Sequence, residues 1–312
     1  MTASATAPSA RLPGWQRVLL GAVVSVFRAY FRGLGRLSAP WAYRVARGVV
    51  PLLLFANRHK QRQNLERYFG PDMRTDPRLQ DLPTRIHRYE ARVHVDFSRL
   101  ATLSPEALCA WISLSGEEHL DAALAGGRGV MLVSDHAGTS WLAVPALLAS
   151  RGYPLHMVAN PMSAPGVDAW LTFGAERFGV HLSFVGRGVP RVAQRALGRN
   201  EIFCVTFDVS VNVPRSTWLP FGATTLPVDP GPALLTSRFG VPVLQVTTAH
   251  DGPWGLRMTI HPPSLPPGTG EERPDPAQLS RQWIDRLERQ IAERPADWWP
   301  WSYVALGDGP PS

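Results

Sequence analysis

His136 is the residue whose surroundings most clearly suggest chemistry. It follows the apolar run GVMLVS at 129–134 and precedes a turn of small residues, in the stretch VSDHAGTSW. A neutral imidazole can remove a proton from a hydroxyl or an amine, and a carboxylate bonded to its other nitrogen fixes the tautomer. The same stretch offers Asp135 as a carboxylate and Ser140 as a hydroxyl. We therefore predict that His136 is a general base.

Asp208 is the first candidate for the carboxylate that orients His136. It ends the strand-length run EIFCVTFD at 201–208. Asp135 is adjacent to His136, but neighbouring residues of a strand point to opposite faces, so Asp135 should point away unless the strand has already ended. In a third arrangement no carboxylate takes part, and water or a main-chain carbonyl holds the imidazole. Asp208 also has an ordinary alternative role, as a turn residue that accepts hydrogen bonds from main-chain N–H groups.

Ser140 raises a different mechanism, in which its hydroxyl attacks the substrate and His136 is its base. The competing interpretation is that Thr139 and Ser140 simply cap the following helix. Gly138 permits a ligand to approach the main chain closely, and the N–H groups at the start of a helix attract negative charge. We therefore predict that Gly138 and Thr139 bind substrate.

The elements that carry these residues alternate between strand and helix. Apolar runs of strand length occur at 129–134, 154–159, 181–186, 201–208 and 241–250. Helical patterns lie between them, at 139–152, 167–179, 190–200 and 230–240. This alternation predicts an α/β fold with a mostly parallel central sheet flanked by helices. Ligands of such sheets bind beyond the carboxyl ends of the strands, so His136 and Asp208 should lie on the same edge.

A basic and apolar segment precedes this pattern. Residues 14–35 are predicted to form a helix, and Arg28, Arg32 and Arg36 fall on one side of it. The apolar part is too short to cross a bilayer, which favours a helix lying in the membrane interface over an ordinary core helix with a solvated edge. A second apolar segment with basic flanks, at 40–62, supports this interpretation. The predicted location is the cytoplasmic face of a membrane, with the cytoplasm as the alternative.

Length and composition restrict the class of protein. The chain has 312 residues, 45% of them hydrophobic and 18% charged, which predicts a folded protein with one large domain. We divide it into a flexible terminus (1–12), a membrane-associating helical segment (13–70), an α/β domain (71–305) and a flexible tail (306–312). The net charge of +7 suits an anionic membrane surface or a phosphate-bearing donor, and no nucleic-acid recognition module accompanies it. The two cysteines have neither disulfide nor metal-ligand spacing, so we predict no metal and no cofactor.

Six segments carry a family resemblance: NRHKQRQNLERYFG, SGEEHLDAALAGGRGVMLVSDHAGTSW, NPMSAPGVDAWLTFGAERFGV, CVTFDVSVN, WLPFGATTLPVDPGPALLTSRFGVPVLQV and RLERQIAERPADWWPWSYV. In this order, over about residues 50–303, they resemble the bacterial lipid A biosynthesis acyltransferases, a family that includes lauroyl, myristoyl and phosphatidylinositol mannoside acyltransferases. The resemblance implies a glycerol-phosphate acyltransferase-like α/β fold and acyl transfer from a thioester. It also implies that the membrane in question is the bacterial inner membrane, at its cytoplasmic face. It also implies substrate-binding roles for Asn160, Arg177 and Phe221.

The sequence departs from the family at the predicted base. The family pattern has Glu or Asp five residues after the His, whereas Trp141 stands there in this chain. Thr139 and Ser140 also replace the usual Asn-Trp pair. Trp141 cannot orient the imidazole as an acid would, and we predict instead that it contacts substrate.

Two further groups have alternative interpretations. Arg177 is predicted to bind the phosphate of a phosphopantetheine arm or of a lipid head group by a forked contact, and the alternative is a solvated residue paired with Glu176 or Asp168. The Trp-rich segment 298–301 fits either an aromatic belt at a membrane interface or a terminal segment that packs on the core.

Two functions follow from these predictions. The leading hypothesis is a membrane-associated acyltransferase that moves a fatty or polyketide-type acyl chain to a hydroxyl or amine. Its donor would be an acyl carrier protein or acyl-CoA, and its acceptor a lipid or small molecule, with the motif departures favouring a specialised acceptor such as one of secondary metabolism. The rival hypothesis is a catalytically impaired homologue that binds a lipid or a carrier protein.

Overall fold

The computed structural model describes residues 14–161, 172, 174–210, 216–264, 273–307 and 309. The helices are α1 Gly14–Arg36, α2 Ala39–Leu54, α3 Arg58–Phe69, α4 Asp72–Thr75, α5 Pro77–Gln80, α6 Leu82–Leu100, α7 Pro105–Trp111, α8 Glu117–Ala125, α9 Ser140–Ser150, α10 Val189–Gly198, α11 Gly231–Phe239 and α12 Pro276–Glu293. The strands are β1 Ile112–Ser115, β2 Val130–Ser134, β3 Leu155–Ala159, β4 His181–Phe184, β5 Ile202–Thr206, β6 Thr217–Phe221, β7 Thr224–Val228, β8 Val243–Asp251 and β9 Gly255–Ile260. Short 3-10 turns occupy Phe55–Asn57 and Trp299–Ser302.

Seven of these strands form one sheet, in the order β1-β9-β8-β2-β5-β3-β4. Neighbouring strands are parallel, except for the antiparallel pair β8 and β9. Helices cover both faces of this sheet. The evidence is that two apolar clusters, one on each side of the sheet, include residues of the same strands. The predicted α/β architecture with a mostly parallel central sheet is therefore confirmed.

β2 shows why the predicted strands lack alternation of apolar and polar residues. Met131 and Val133 belong to one apolar cluster, whereas Val130 and Leu132 belong to the cluster on the other side of the sheet. Successive side chains of a strand point to opposite faces, and both faces here are covered. All five residues of β2 are buried as a result.

Three parts of the β structure differ from the predicted pattern, and the first is β1, an edge strand of the main sheet that precedes the predicted strands. β9 follows β8 after a short turn and pairs with it antiparallel, so that Leu256 and Met258 are buried while Arg257 is exposed. β6 and β7 form a separate antiparallel hairpin. Gly222 makes the hairpin turn with φ of 58°, and a Cβ there would lie 2.6 Å from the carbonyl oxygen of Tyr68. Glycine is therefore required at this close approach.

The first two helices pack on α6 by one face. Their buried cluster consists of small and aliphatic side chains, namely Leu34, Ala42, Ala46, Val50, Leu54, Ala91 and Val95. The opposite face of α2 leaves large apolar side chains exposed, among them Trp41 and Leu52. No helix in the described ranges is both long enough and apolar enough to cross a membrane.

Some predictions fall outside the described residues. The terminus 1–12, residues 167–171 and 173 of the predicted helix at 167–179, and much of the tail 306–312 belong to this group. Residues 174–177 of that predicted helix are helical. The remaining predicted helices of the α/β region are present within two residues of their predicted bounds.

Candidate active site

The loop that carries His136 connects the end of β2 to the start of α9. Gly138 adopts a positive φ of 60° in this loop, and a Cβ at this position would lie 2.8 Å from the hydroxyl of Tyr89. The main chain is held by the Thr248 hydroxyl, which donates to the carbonyl of Ala137 at 2.9 Å. The indole of Trp299 donates to the carbonyl of Gly138, also at 2.9 Å. The loop is thus fixed from both sides, and His136 is fixed with it.

Asp208 contacts His136 across two neighbouring strands. Ser134 of β2 is paired with Thr206 of β5, so the residues two positions further on face each other beyond the carboxyl ends of the strands. His136 Nδ1 lies 2.7 Å from Asp208 Oδ1, and the main-chain N–H of His136 donates to Oδ2 at 2.9 Å. The indole N–H of Trp298 donates to the same Oδ2 at 2.7 Å. Four groups therefore form one buried network.

The two carboxyl groups beside His136 have opposite protonation preferences. Burial alone would raise the pKa of Asp208, but the His136 imidazole and the hydrogen bonds from His136 and Trp298 hold the pKa below its ordinary value. Burial raises the pKa of Asp135 well above its ordinary value, and the charge of Asp208 raises it further. Asp208 is therefore the ionised partner, and Asp135 is held neutral. Because the ionised carboxylate accepts from Nδ1, the other ring nitrogen of His136 is the one that can take a proton.

The carboxyl group of Asp135 has hydrogen-bond partners other than the imidazole. It is fully buried, and its Oδ1 accepts from the main-chain N–H of Ala137 at 2.9 Å. Gln290 donates to its other oxygen at 3.3 Å. Through these contacts Asp135 stabilises the loop that carries His136.

Ser140 and Thr139 are both buried at the start of α9. The hydroxyl of Ser140 donates to the main-chain carbonyl of Asp135, and neither side chain caps the helix. Ser140 is also outside the lining of the cavity on which His136 opens. Its hydroxyl therefore serves the loop in this structure, which gives no support to the nucleophile alternative.

His136 opens on a cavity of about 490 Å³. Trp141 and Asn160, two of the residues predicted to bind substrate, line this cavity, and so do Glu90 and Trp299. The thiol of Cys204 is also part of the wall, and burial raises its pKa to about 12, so it is not a thiolate nucleophile. The wall is otherwise mostly apolar, which suits a lipid-like substrate.

A second cavity of about 280 Å³ adjoins the first, and Met157 contributes to both walls. Its lining is apolar apart from Arg28, Arg32 and Arg177. The fork of Arg177 donates to the main-chain carbonyls of Ala101 and Thr102 at 2.6 and 3.1 Å. Arg177 thus makes a forked contact with two main-chain carbonyl groups at the end of α6. Asp168, one of the alternative partners predicted for it, lies outside the described residues.

Comparison with known families gives this site a context. The profile of the bacterial lipid A biosynthesis acyltransferase family matches residues 17–301. The chain belongs to that family. Two similar proteins are the phosphatidylinositol mannoside acyltransferases of Mycobacterium tuberculosis strains H37Rv and CDC 1551. Each is 28% identical over 246 residues, covering 76% of this chain and 73% of the relative.

Phe221 occupies a different position in the acyltransferase from the other predicted binding residues. It is fully buried, and its ring packs between Tyr68 and Trp298, with centroid distances of 4.7 and 5.3 Å. Phe221 therefore supports the indole that donates to Asp208 rather than the wall of either cavity.

The Trp-rich segment contributes more to the acyltransferase site than the sequence suggested. Trp298 and Trp301 are fully buried, which favours the core-packing interpretation over a belt at a membrane interface. Asn64 of α3 donates to the carbonyls of Trp301 and Val304 at 2.9 and 3.0 Å. The segment is anchored in this way by α3, and it in turn holds Asp208 and the His136 loop.

Sequence reasoning missed Glu90 and the hydrogen-bonding roles of Trp298 and Trp299. The presence of a carboxylate at position 90 of an amphipathic helix suggests a solvated residue, because α6 contains many charged side chains. The signal available for the tryptophans was their clustering, since buried indoles usually find a hydrogen-bond acceptor. The sequence did not indicate which acceptor they would find.

Proposed function

We propose that this acyltransferase moves an acyl chain from an acyl carrier protein or acyl-CoA thioester to a hydroxyl or amine of a lipid acceptor, with His136 as the general base. The observation that carries the proposal is the network of His136, Asp208 and Trp298 at the wall of a cavity of about 490 Å³. In this proposal Nε2 of His136 removes the acceptor proton as the acceptor oxygen or nitrogen attacks the thioester carbonyl. The tetrahedral intermediate then expels the thiolate, which takes the proton from the imidazolium, giving an ester or amide and a free thiol.

Two side chains are suited to stabilise the oxyanion of this intermediate. The hydroxyl of Ser134 and the indole N–H of Trp141 both belong to residues that line the cavity, and neither has a hydrogen-bond partner among the described residues. Donors placed near developing negative charge lower the barrier of acyl transfer. In this proposal Trp141 donates a hydrogen bond at the position where the family pattern has a carboxylate, which accepts hydrogen bonds.

The adjoining cavity is suited to the acyl chain. Its wall consists mainly of aliphatic and aromatic side chains, such as Leu142 and Phe178, and it shares Met157 with the cavity of His136. Arg28 and Arg32 of α1 line the same cavity. Their charge would attract a donor whose thioester is carried on a phosphate-bearing arm. The chain would therefore enter from the side of α1 and present its carbonyl toward His136.

The rival hypothesis of a catalytically impaired homologue rests on the missing acid at position 141. Asp208 supplies an ionised partner for His136 from β5 instead, at 2.7 Å. This contact favours the catalytic proposal.

An assay with purified protein tests the proposed reaction. We expect the protein to release thiol from palmitoyl-CoA or palmitoyl acyl carrier protein and to add the palmitoyl group to a phosphatidylinositol mannoside. Thiol titration measures the release, and mass spectrometry of the lipid detects the added palmitoyl group. Lipid A precursor, as a second acceptor, tests the alternative named by the family, and phosphatidylinositol without mannose is the matched control. If folded protein consumes neither thioester in the presence of any of these lipids, the proposal is wrong.

We also propose that α1 and α2 bind the anionic surface of the cytoplasmic membrane. Trp41, Leu52 and Phe55 expose 59%, 75% and 59% of their surface. Arg44 lies 4.5 Å from the ring centroid of Trp41, and Arg58 lies 3.8 Å from that of Phe55. Apolar side chains next to guanidinium groups suit the boundary between acyl chains and phosphates.

Vesicle binding tests this surface without disturbing the core. We expect the triple variant Trp41→Ser, Leu52→Ser, Leu53→Ser to bind phosphatidylglycerol vesicles at least about 10-fold more weakly, since burial of each large apolar side chain contributes roughly 1.5 kcal/mol or more. Leu234→Ser, which changes a half-exposed leucine of α11, is the matched control and should bind as the wild type does. Co-sedimentation measures both. Undiminished binding of the triple variant would show that the protein contacts membranes elsewhere or not at all.

A further inference from the structure

Glu90 is a buried carboxyl in the wall of the His136 cavity that the proposed reaction does not use. It lies on α6, is 5% exposed, and lines the same cavity as His136. Its Oε1 is buried and has no hydrogen-bond partner among the described residues. A buried carboxyl oxygen without a partner is unfavourable for the fold, so its presence in the wall of this cavity indicates a role with the ligand.

The surroundings of Glu90 restrict the charge of that ligand. None of the described residues that line this cavity is Arg or Lys. His94 lies one turn further along α6 and lines the same cavity, but burial lowers its pKa to about 4, so it is neutral. Its Nδ1 is 3.1 Å from the hydroxyl of Tyr30. A phosphate would therefore meet a carboxyl group and no cation here, which disfavours an anionic ligand group.

Glu90 itself is suited to a neutral partner. Burial raises its pKa to about 8, so the carboxyl group is mostly protonated near pH 7. A protonated carboxyl group donates one hydrogen bond and accepts others, as a hydroxyl group does. Hydroxyl groups of a sugar or polyol match this capacity.

We propose that Glu90 binds a hydroxyl group of the acceptor other than the one that is acylated, and that it thereby selects acceptors with a polyol or sugar head group. The inference depends on the proposed function in one respect, namely that the cavity of His136 holds the acceptor. Glu90 then acts as a specificity-determining residue, and the remaining apolar wall contacts the lipid part of the acceptor.

Calorimetric titration with small amphiphiles tests the inference independently of turnover. The probes are n-octyl mannoside, n-octanol and n-octylamine, each below its critical micelle concentration. We expect the wild type to bind octyl mannoside about 10-fold more tightly than octanol, the effect of one or two hydrogen bonds in a desolvated site. Glu90→Met, which has a similar volume, should lose this preference and bind octanol as the wild type does. Glu90→Gln, which keeps one donor and one acceptor, should retain the preference within about threefold.

Each contrary result is decisive. If Glu90→Met keeps the preference, Glu90 is not the binding group. If that variant does not fold, the wild type alone decides, because equal affinity for octyl mannoside and octanol overturns the inference. Tighter binding of octylamine, lost in Glu90→Gln, would show that the ligand group is a cation. The titration contains no thioester and requires no turnover, so failure of the catalytic proposal leaves this experiment valid.

Discussion

His136→Ala is expected to lower kcat/KM for acyl transfer by roughly 10²- to 10⁴-fold, the contribution typical of a positioned general base. The imidazole is the basic group that opens on the cavity of about 490 Å³ and has an ionised partner on its other nitrogen. Without it, the acceptor hydroxyl or amine must attack while still protonated or lose its proton to water. Thiol release from a palmitoyl thioester in the presence of acceptor measures the loss.

His136→Gln separates loss of the base from loss of the hydrogen bond. The Gln amide can still donate to Asp208, but it has no atom that accepts a proton at neutral pH. We expect it to be as inactive as His136→Ala and to unfold at a temperature closer to that of the wild type. His59→Ala removes an exposed imidazole on α3 and is the matched control. More than a tenth of wild-type activity in His136→Gln would exclude the imidazole as the base.

Asp208→Asn is expected to lower kcat by roughly 10²- to 10⁴-fold with little change in KM, since a neutral amide neither fixes the required tautomer nor stabilises the imidazolium. Asp208 is the carboxylate whose pKa the network lowers against the effect of burial. The amide NH2 must replace either Oδ1, where it would donate to His136 Nδ1 and favour the wrong tautomer, or Oδ2, where it would oppose the N–H donors of His136 and Trp298. Single-turnover measurements with saturating donor report the chemical step.

Asp135→Asn is the matched control for this substitution. Burial already holds Asp135 in its neutral form, so the amide is close to an isosteric replacement, and Gln290 can rotate its amide to pair with it. We expect less than a fivefold change in kcat, with a small change in stability. The reverse result, in which Asp135→Asn loses activity and Asp208→Asn keeps it, would assign the role of orienting carboxylate to Asp135.

The central strands could be predicted because both of their faces are covered. The apolar runs that predicted β2, β3 and β5 match the observed strands within two residues at each end. β9 has the sequence GLRMTI, in which apolar and polar residues alternate, and it pairs antiparallel after a tight turn. Alternating strands and helices predict parallel neighbours, and an antiparallel hairpin lies outside that pattern. Alternation over only six residues is a weak signal.

The contact between Asp208 and His136 depends on strand order, which the sequence does not contain. Both residues follow a predicted strand, so a shared edge could be predicted. Their contact requires in addition that β5 is the immediate neighbour of β2, with Ser134 opposite Thr206. The sequence therefore predicts that His136 and Asp208 lie at one edge of the sheet. It does not predict that Trp298 donates to Asp208, because Trp298 lies 90 residues later in the chain.

The anchoring of residues 298–304 has a consequence for biosynthesis. Trp299 holds the carbonyl of Gly138 from a position 161 residues later in the chain, and Trp298 completes the contacts of Asp208. A nascent chain that has left the ribosome only as far as β8 already contains His136 and Asp208, but it lacks the two indoles that fix them. The network of His136 and Asp208 is therefore completed only late in translation, after residues 298–304 have left the ribosome.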